Sequence, residues 1–335
     1  MLGAAASACF QPRPPEGAPC NAARECPTPL QCVAGTCQRE LGGDGAIDDA
    51  RLDDVPPDGV PACAAPSMLP AFPSPTLVMS LSSVAGDGTP SLTADRLEIY
   101  FKSERAGGAG GGDIWKATRT SVTSAWSTPV NVGELNTPAE DVGTEVSPDG
   151  LTLYFSSSRS GGAGLLDLYV ATRPTRSSAW SAPTRIAALS SPRDDEGIFV
   201  SASGLVAYFH SDRDAATAGV HTIYRASRST LQAPWSTPVR LAELDSATGD
   251  ENPWLTADDC TMYFQSGRSA ATGNADVWMA RRATPTSAFG SFTLVSDLNN
   301  DQYDADPWLT PDERYVMYVS LRAAVGDFDI YESTR

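Results

Sequence analysis

A chain of 335 residues with 41 acidic and 24 basic side chains carries a net charge of −17. That balance argues against nucleic acid and anionic membrane surfaces as partners, because both reward Lys and Arg patches. The length allows one to three domains and ample core, and no stretch reaches the ~18 apolar residues of a membrane helix.

Residues 1–19 read as the end of an export signal. Residues 1–9 are small and apolar and finish on Cys9. They resemble the tail of a bacterial lipoprotein signal peptide, although Ala6 stands where that motif prefers Leu and no basic leader precedes it. The expectation is a true start further upstream, with Cys9 as a lipidation candidate and the only membrane contact. An ordinary unstructured start is the alternative. Residues 20–37 hold Cys20, Cys26, Cys32 and Cys37 with Pro27, Pro29 and Gly35 between them. So small a piece is stable only if stapled, which predicts two disulfides in any of three connectivities. Zinc is disfavoured, since close Cys-x-x-Cys pairs and His are missing. The run from Cys26 to Cys37 resembles small cysteine-rich modules of exported proteins. Residues 38–70 are acidic and rich in Gly and Pro, the composition of a disordered linker. Cys63 in that linker and Cys260 further on are the two cysteines left over. They form a bridge or remain two free thiols.

From residue 71 the chain repeats. An Asp recurs at Asp87, Asp141, Asp195, Asp250 and Asp304, at intervals of 54, 54, 55 and 54 residues. The same spacing carries a hydroxyl residue (Thr93, Ser147, Ser201, Thr256, Thr310), an aromatic or apolar pair (Tyr154-Phe155 in the second unit), a Ser and an Arg. The Arg column is Arg105, Arg159, Arg213, Arg268 and Arg322. Within a unit, short aliphatic and aromatic runs are bounded by turns such as Ser147-Pro148-Asp149-Gly150. Four strands are predicted per unit, at 142–147, 151–157, 167–173 and 180–187 in the second, called a, b, c and d. Such a repeat reads as a propeller blade. The last unit stops after strand c at Arg335, while residues 72–78 match an orphan strand d. Joining them predicts a closed five-bladed propeller over residues 71–335, all-β and without an open edge.

The turn, the Tyr-Phe strand, Ser-x-Arg, Asp-Leu-Tyr and Trp-Ser-x-Pro together resemble the WD40-like repeat of TolB-type β-propellers, over residues 72–335. The resemblance implies a binding platform of the cell envelope; the expectation built on it is a monomeric, non-catalytic scaffold, periplasmic, outer-membrane-anchored or secreted, that engages a protein or glycan and needs no cofactor unless Ca2+.

Following strand direction brings the five Asp and five Arg to one end of the ring, the top face. One reading makes them architecture, each Asp capping its loop or pairing with its Arg. The other makes all ten the ligand-binding residues of the top face, the Asp, with Glu140, Glu196, Glu251 and Asp306 beside them, forming an acidic mouth for Ca2+ or a basic peptide segment. Trp126, Trp180, Trp235, Phe289 and Phe72 are read as packing between blades rather than a carbohydrate-stacking ring. Asp113, Asp167, Asp276 and Asp329 open strand c, whereas blade three has Thr222 beside His221. The only histidines, His210 and His221, are read as exposed strand or loop residues. A glycoside hydrolase using carboxylates at the channel mouth is the rival function. No Gly-x-Ser-x-Gly or His-Glu-x-x-His occurs.

Overall fold

The computed structural model describes residues 30–33, 36–39, 62–64, 69–268, 275–322 and 327–335. Two units separate, residues 1–54 and 55–335. In the first, β1 (Leu30–Val33) and β2 (Thr36–Arg39) form an antiparallel hairpin with Cys32 opposite Cys37 in register. The expected signal segment, the lipidation candidate Cys9, Cys20 and Cys26, most of the linker, and the side chains of Cys32 and Cys37 lie outside the described residues.

The second unit is a five-bladed β-propeller. Its four-stranded antiparallel sheets follow the repeat. Blade one holds β4 (Asp87–Leu92), β5 (Glu98–Ser103), β6 (Asp113–Thr118) and β7 (Val130–Asn131). Blade two holds β8 (Asp141–Val146), β9 (Thr152–Ser157), β10 (Asp167–Thr172) and β11 (Thr184–Arg185). Blade three holds β12 (Asp195–Val200), β13 (Val206–Ser211), β14 (Thr222–Ser227) and β15 (Val239–Arg240). Blade four holds β16 (Asp250–Leu255), β17 (Thr261–Ser266), β18 (Asp276–Arg281) and β19 (Gly290–Leu294). Blade five joins β20 (Asp304–Leu309), β21 (Tyr315–Ser320) and β22 (Asp329–Thr334) to β3 (Thr76–Leu77) from the other end of the array. Leu77 there stands opposite Tyr331 and Thr76 opposite Glu332. Each innermost strand packs against the next, β20 against β4 included, and this makes the ring. Among the described residues no helix is long and apolar enough to cross a membrane.

Strand b needs apolar residues on both faces because a blade is sandwiched between two others. β17 and β21 are accordingly buried at every position. Strand d is shorter than the predicted eight residues. Pro75, Pro129, Pro183 and Pro238 immediately precede β3, β7, β11 and β15, and a proline supplies no N–H to the ladder. Blade four has Phe292 in that place, and there the strand runs from Gly290 to Leu294.

The aromatic column belongs to the packing. Phe72, Trp126, Trp180 and Phe289 are buried and Trp235 is half-buried. Each lies under the guanidinium that ends strand c of its blade, from 4.0 Å for Arg335 over Phe72 to 4.4 Å for Arg173 over Trp180. The same arginines donate Nε–H to the carbonyl of a neighbouring turn, as Arg173 does to Gly150 at 2.7 Å. Cys63 and Cys260 are joined by a disulfide with a Cα separation of 5.7 Å, the alternative of two free thiols being excluded.

Candidate functional site

The repeated Asp and Arg form five identical clasps. Asp87, Asp141, Asp195, Asp250 and Asp304 are all fully buried. In each blade the Arg Nη2 donates to Asp Oδ1, at 2.5 Å for Arg159–Asp141 and 2.6 Å for Arg268–Asp250. It also donates to a leucine carbonyl, as Arg159 does to Leu135 at 2.7 Å, while Nε–H donates to the blade's Ser. The second Asp oxygen accepts the backbone N–H four residues earlier, at Ser83, Thr137, Ser191, Ser246 and Asn300. Both oxygens of each of these carboxylates are thus engaged, and the guanidinium also covers the blade's aromatic rings, Arg159 lying 4.8 Å from the Tyr169 ring centre.

The channel wall comes from residues beside the clasps. Every inner strand carries a bulge two residues after its Asp, with left-handed backbone at Thr89, Gly143, Gly197, Asn252 and Asp306. Glycine is required at Gly197, where a Cβ would fall 2.4 Å from His210 Nδ1. At the three non-glycine positions the strain is held by hydrogen bonds. Asp306 Oδ2 accepts the Thr89 N–H at 2.9 Å, and its Oδ1 accepts from the Asn252 side chain.

At the end where the inner strands begin, the channel opens into a cavity of about 340 Å³. Glu140, Glu196, Glu251 and Asp306 line it, against one lysine, Lys102, which pairs with Glu104. Of the ten clasp residues only Asp87 reaches its wall. The channel then narrows to about 40 Å³ at the bulges. It widens again at the other end into an apolar cavity of about 240 Å³, where Glu145 borders Leu92, Val146, Val200 and Leu255. Burial pushes the Glu145 carboxyl up to about 8, against the hydrogen bond from Ser91 Oγ at 2.9 Å.

The histidines are not exposed, contrary to the expectation from sequence. His210 is 4% exposed and His221 is half-buried. Strand b of blade three finishes and strand c starts beside the channel, so both rings line it, 4.9 Å apart between centres. His221 Nδ1 meets Glu251 Oε1 at 2.8 Å, and Glu251 Oε2 accepts from Gln265 at 2.8 Å. His210 Nδ1 accepts the Asn252 N–H at 3.1 Å. Among the described residues Glu196, His210 and His221 are the one group of three ligand-bearing side chains within metal-binding range, each offering one ligand atom within 4.8 Å of the others. Burial, reinforced by the His221 charge, pushes His210 down to about 3, so its ring is neutral. Burial opposes a proton on His221, but the hydrogen bond and charge of Glu251, with Glu196 and Asp212, outweigh it and raise this pKa. Burial pushes Glu196 up to about 7 and Asp306 up to about 6.

His210, His221, Asn252, Gln265 and Tyr303 were not among the site residues expected from sequence. A signal for them exists in the repeat. The position after the Asp, its partner on strand b and the residue before strand c form one row at the channel. That row reads Glu196-His210-His221 in blade three, Gly88-Lys102-Gly112 in blade one and Val142-Ser156-Leu166 in blade two. In blades four and five it reads Glu251-Gln265-Ala275 and Ala305-Val319-Phe328.

No protein-family model matches the chain, and no curated protein sequence matches it. Solved structures share its fold. The endo-arabinase from Bacteroides thetaiotaomicron is similar with a TM-score of 0.50 at 12% identity, covering 79% of this chain and 98% of that one. TolB from Acinetobacter baumannii matches with a TM-score of 0.47 at 19% identity over 76% of this chain. The chain spans 56% of the length of that protein. An α-L-arabinofuranosidase from Podospora anserina matches with a TM-score of 0.49 at 12% identity, over 75% and 91% of the two chains. At 12% identity the likeness to the endo-arabinase is one of fold alone.

Proposed function

We propose that the chain is a non-catalytic binding scaffold acting outside the cytoplasm, and that a partner's cationic segment docks in the upper channel mouth. The observation that carries this reading is the acidic cavity itself, four carboxyl groups with one already-paired lysine, built from positions the repeat leaves free. A cation placed there is attracted by the ionised members of this group, favours ionisation of Glu196 and Asp306, and is shielded from solvent by the channel walls. The Cys63–Cys260 bridge supports an oxidising compartment. In this reading the clasp residues hold the blades and the ligand meets their neighbours.

A glycan-hydrolysing site asks for two carboxyl groups free to face a sugar. Here both oxygens of Glu251 and of Asp306 accept hydrogen bonds, and Glu140 accepts from the Gly112 N–H at 2.9 Å. Glu196 alone of the four makes no hydrogen bond to a described residue. The geometry therefore favours binding over hydrolysis. The test is surface-immobilised protein titrated with Lys-rich peptides and with neutral arabino- and xylo-oligosaccharides. Peptide binding that weakens steeply with salt, and is lost in Glu140→Gln/Glu196→Gln, is the expected result. Retention or cleavage of the oligosaccharides with no peptide binding would overturn it.

A further inference from the structure

We infer that blade three carries a site for a divalent transition-metal ion of the zinc class, held by His221, Glu196 and His210. The inference goes beyond the docking reading and does not depend on it.

Three observations converge. The first is the row comparison. Blades that carry Gly, Val or Ala at the Glu196 position fold with the same clasps, so architecture does not require this triplet. The second is proximity. Tetrahedral ligands ~2.0–2.1 Å from zinc lie about 3.3 Å from one another. The three ligand atoms here lie within 4.8 Å, so the side chains must close by at most about 1.5 Å, the difference of the two.

The third observation is that His221 is already arranged as a ligand. Its Nε2 is buried and has no hydrogen-bond partner among the described residues. Its Nδ1 is engaged by Glu251, which Gln265 in turn fixes. A carboxylate holding the far nitrogen of an imidazole sets the ring's orientation, leaves the near nitrogen's lone pair for a metal and raises its basicity. Glu196 adds a carboxylate with no hydrogen bond to compete for it. His210 is the adaptable member. Its Nδ1 now accepts the Asn252 N–H, so the ion takes that lone pair and displaces Asn252, or takes Nε2 after the proton has moved across the ring. Two imidazoles and one carboxylate suit zinc and its neighbours in the transition series and disfavour calcium, which prefers six to eight oxygens.

The experiment uses the full chain, stripped by chelation and titrated with Co2+ under visible absorption, then with Zn2+ in competition. One equivalent of Co2+ should bind with visible ligand-field bands and without a sulfur-to-cobalt charge-transfer band, and Zn2+ should displace it while Ca2+ does not. His221→Gln and Glu196→Gln should each weaken binding at least ~100-fold, and Glu251→Gln by ~10–100-fold through loss of the orienting carboxylate. His210→Gln should cost less, because the wild-type ring gives up a hydrogen bond to bind. A melting curve for each variant checks folding. If His221→Gln does not fold, Glu196→Gln decides. Absence of binding at micromolar ion, thiolate charge transfer from the cysteines, or an affinity unmoved by both Glu196→Gln and His221→Gln would each overturn the site.

Discussion

Asp195 and Glu196 are neighbours on β12 with opposite circumstances. Asp195 is fully buried in a clasp that all five blades repeat, and Glu196 faces the channel in a row that no other blade repeats. The first position is constrained by the blade's own hydrogen bonds, so every unit solves it in the same way. The second position contributes nothing to blade geometry, and its chemistry is therefore open to selection for a ligand. Stability and binding are divided between adjacent residues of one strand because a β-strand sends successive side chains in opposite directions.

The sharpest way to break this comparison is to cut one clasp. Asp195→Asn leaves the Arg213 guanidinium buried against an uncharged amide, and should cost ~3–5 kcal/mol in urea denaturation. The same change at Asp141, Asp195 and Asp250 together should exhaust the ~5–15 kcal/mol that a folded domain has and leave no folded protein. Unchanged melting with lost ligand binding would make the clasps the binding site instead. Next in size is the Cys63–Cys260 bridge, whose cysteines are 197 residues apart in sequence. Cys63→Ser should lower stability by ~2–4 kcal/mol without moving the channel residues.

Glu145 gives a pH test. Its carboxyl moves from an ordinary 4.5 to about 8 in the folded chain. Below pH 4.5 both states are protonated and the group has no effect on stability. Above it the unfolded chain ionises first, so stability falls as pH rises toward 8, by at most ~1.4 kcal/mol per pH unit. Glu145→Gln should remove that slope in thermal melts taken across the interval. The smallest effect belongs to the channel row. In metal-free protein Glu196→Gln should leave stability within ~0.5 kcal/mol of wild type or raise it, because a half-buried carboxylate without a hydrogen-bond partner among the described residues is replaced by a neutral amide. A loss comparable to that of Asp195→Asn would erase the distinction between the two regions.

The clasps and the blade count were legible in the sequence because they repeat. A column such as Ser103, Ser157, Ser211, Ser266 and Ser320 is its own alignment. The left-over pair Cys63 and Cys260 was visible by counting, although only coordinates could bring the two Cα atoms within 5.7 Å. The length of strand d was misjudged where Pro183 removed a donor, a turn effect weaker than the apolar pattern around it. His210 and His221 were misjudged for a different reason. Eleven positions apart, one on β13 and the other just before β14, they meet only through the pairing of those strands, in which His210 stands opposite Ile223. Composition alone makes two histidines look incidental. Only the register of His210 against Lys102, Ser156 and Val319, and of His221 against Gly112, Leu166 and Phe328, shows that blade three departs from its siblings.

The bulge and row geometry also has a use in protein engineering. Three positions in each of five blades, fifteen in all, stand in one row around the ring, and their side chains take no part in the Asp–Arg clasps. Such a wall is a rewritable panel. A receptor for a new ion could be specified by rewriting the rows of two adjacent blades, since a pocket of the blade-three kind takes its ligands from one row and its orienting carboxylate, as Glu251 is for His221, from the next.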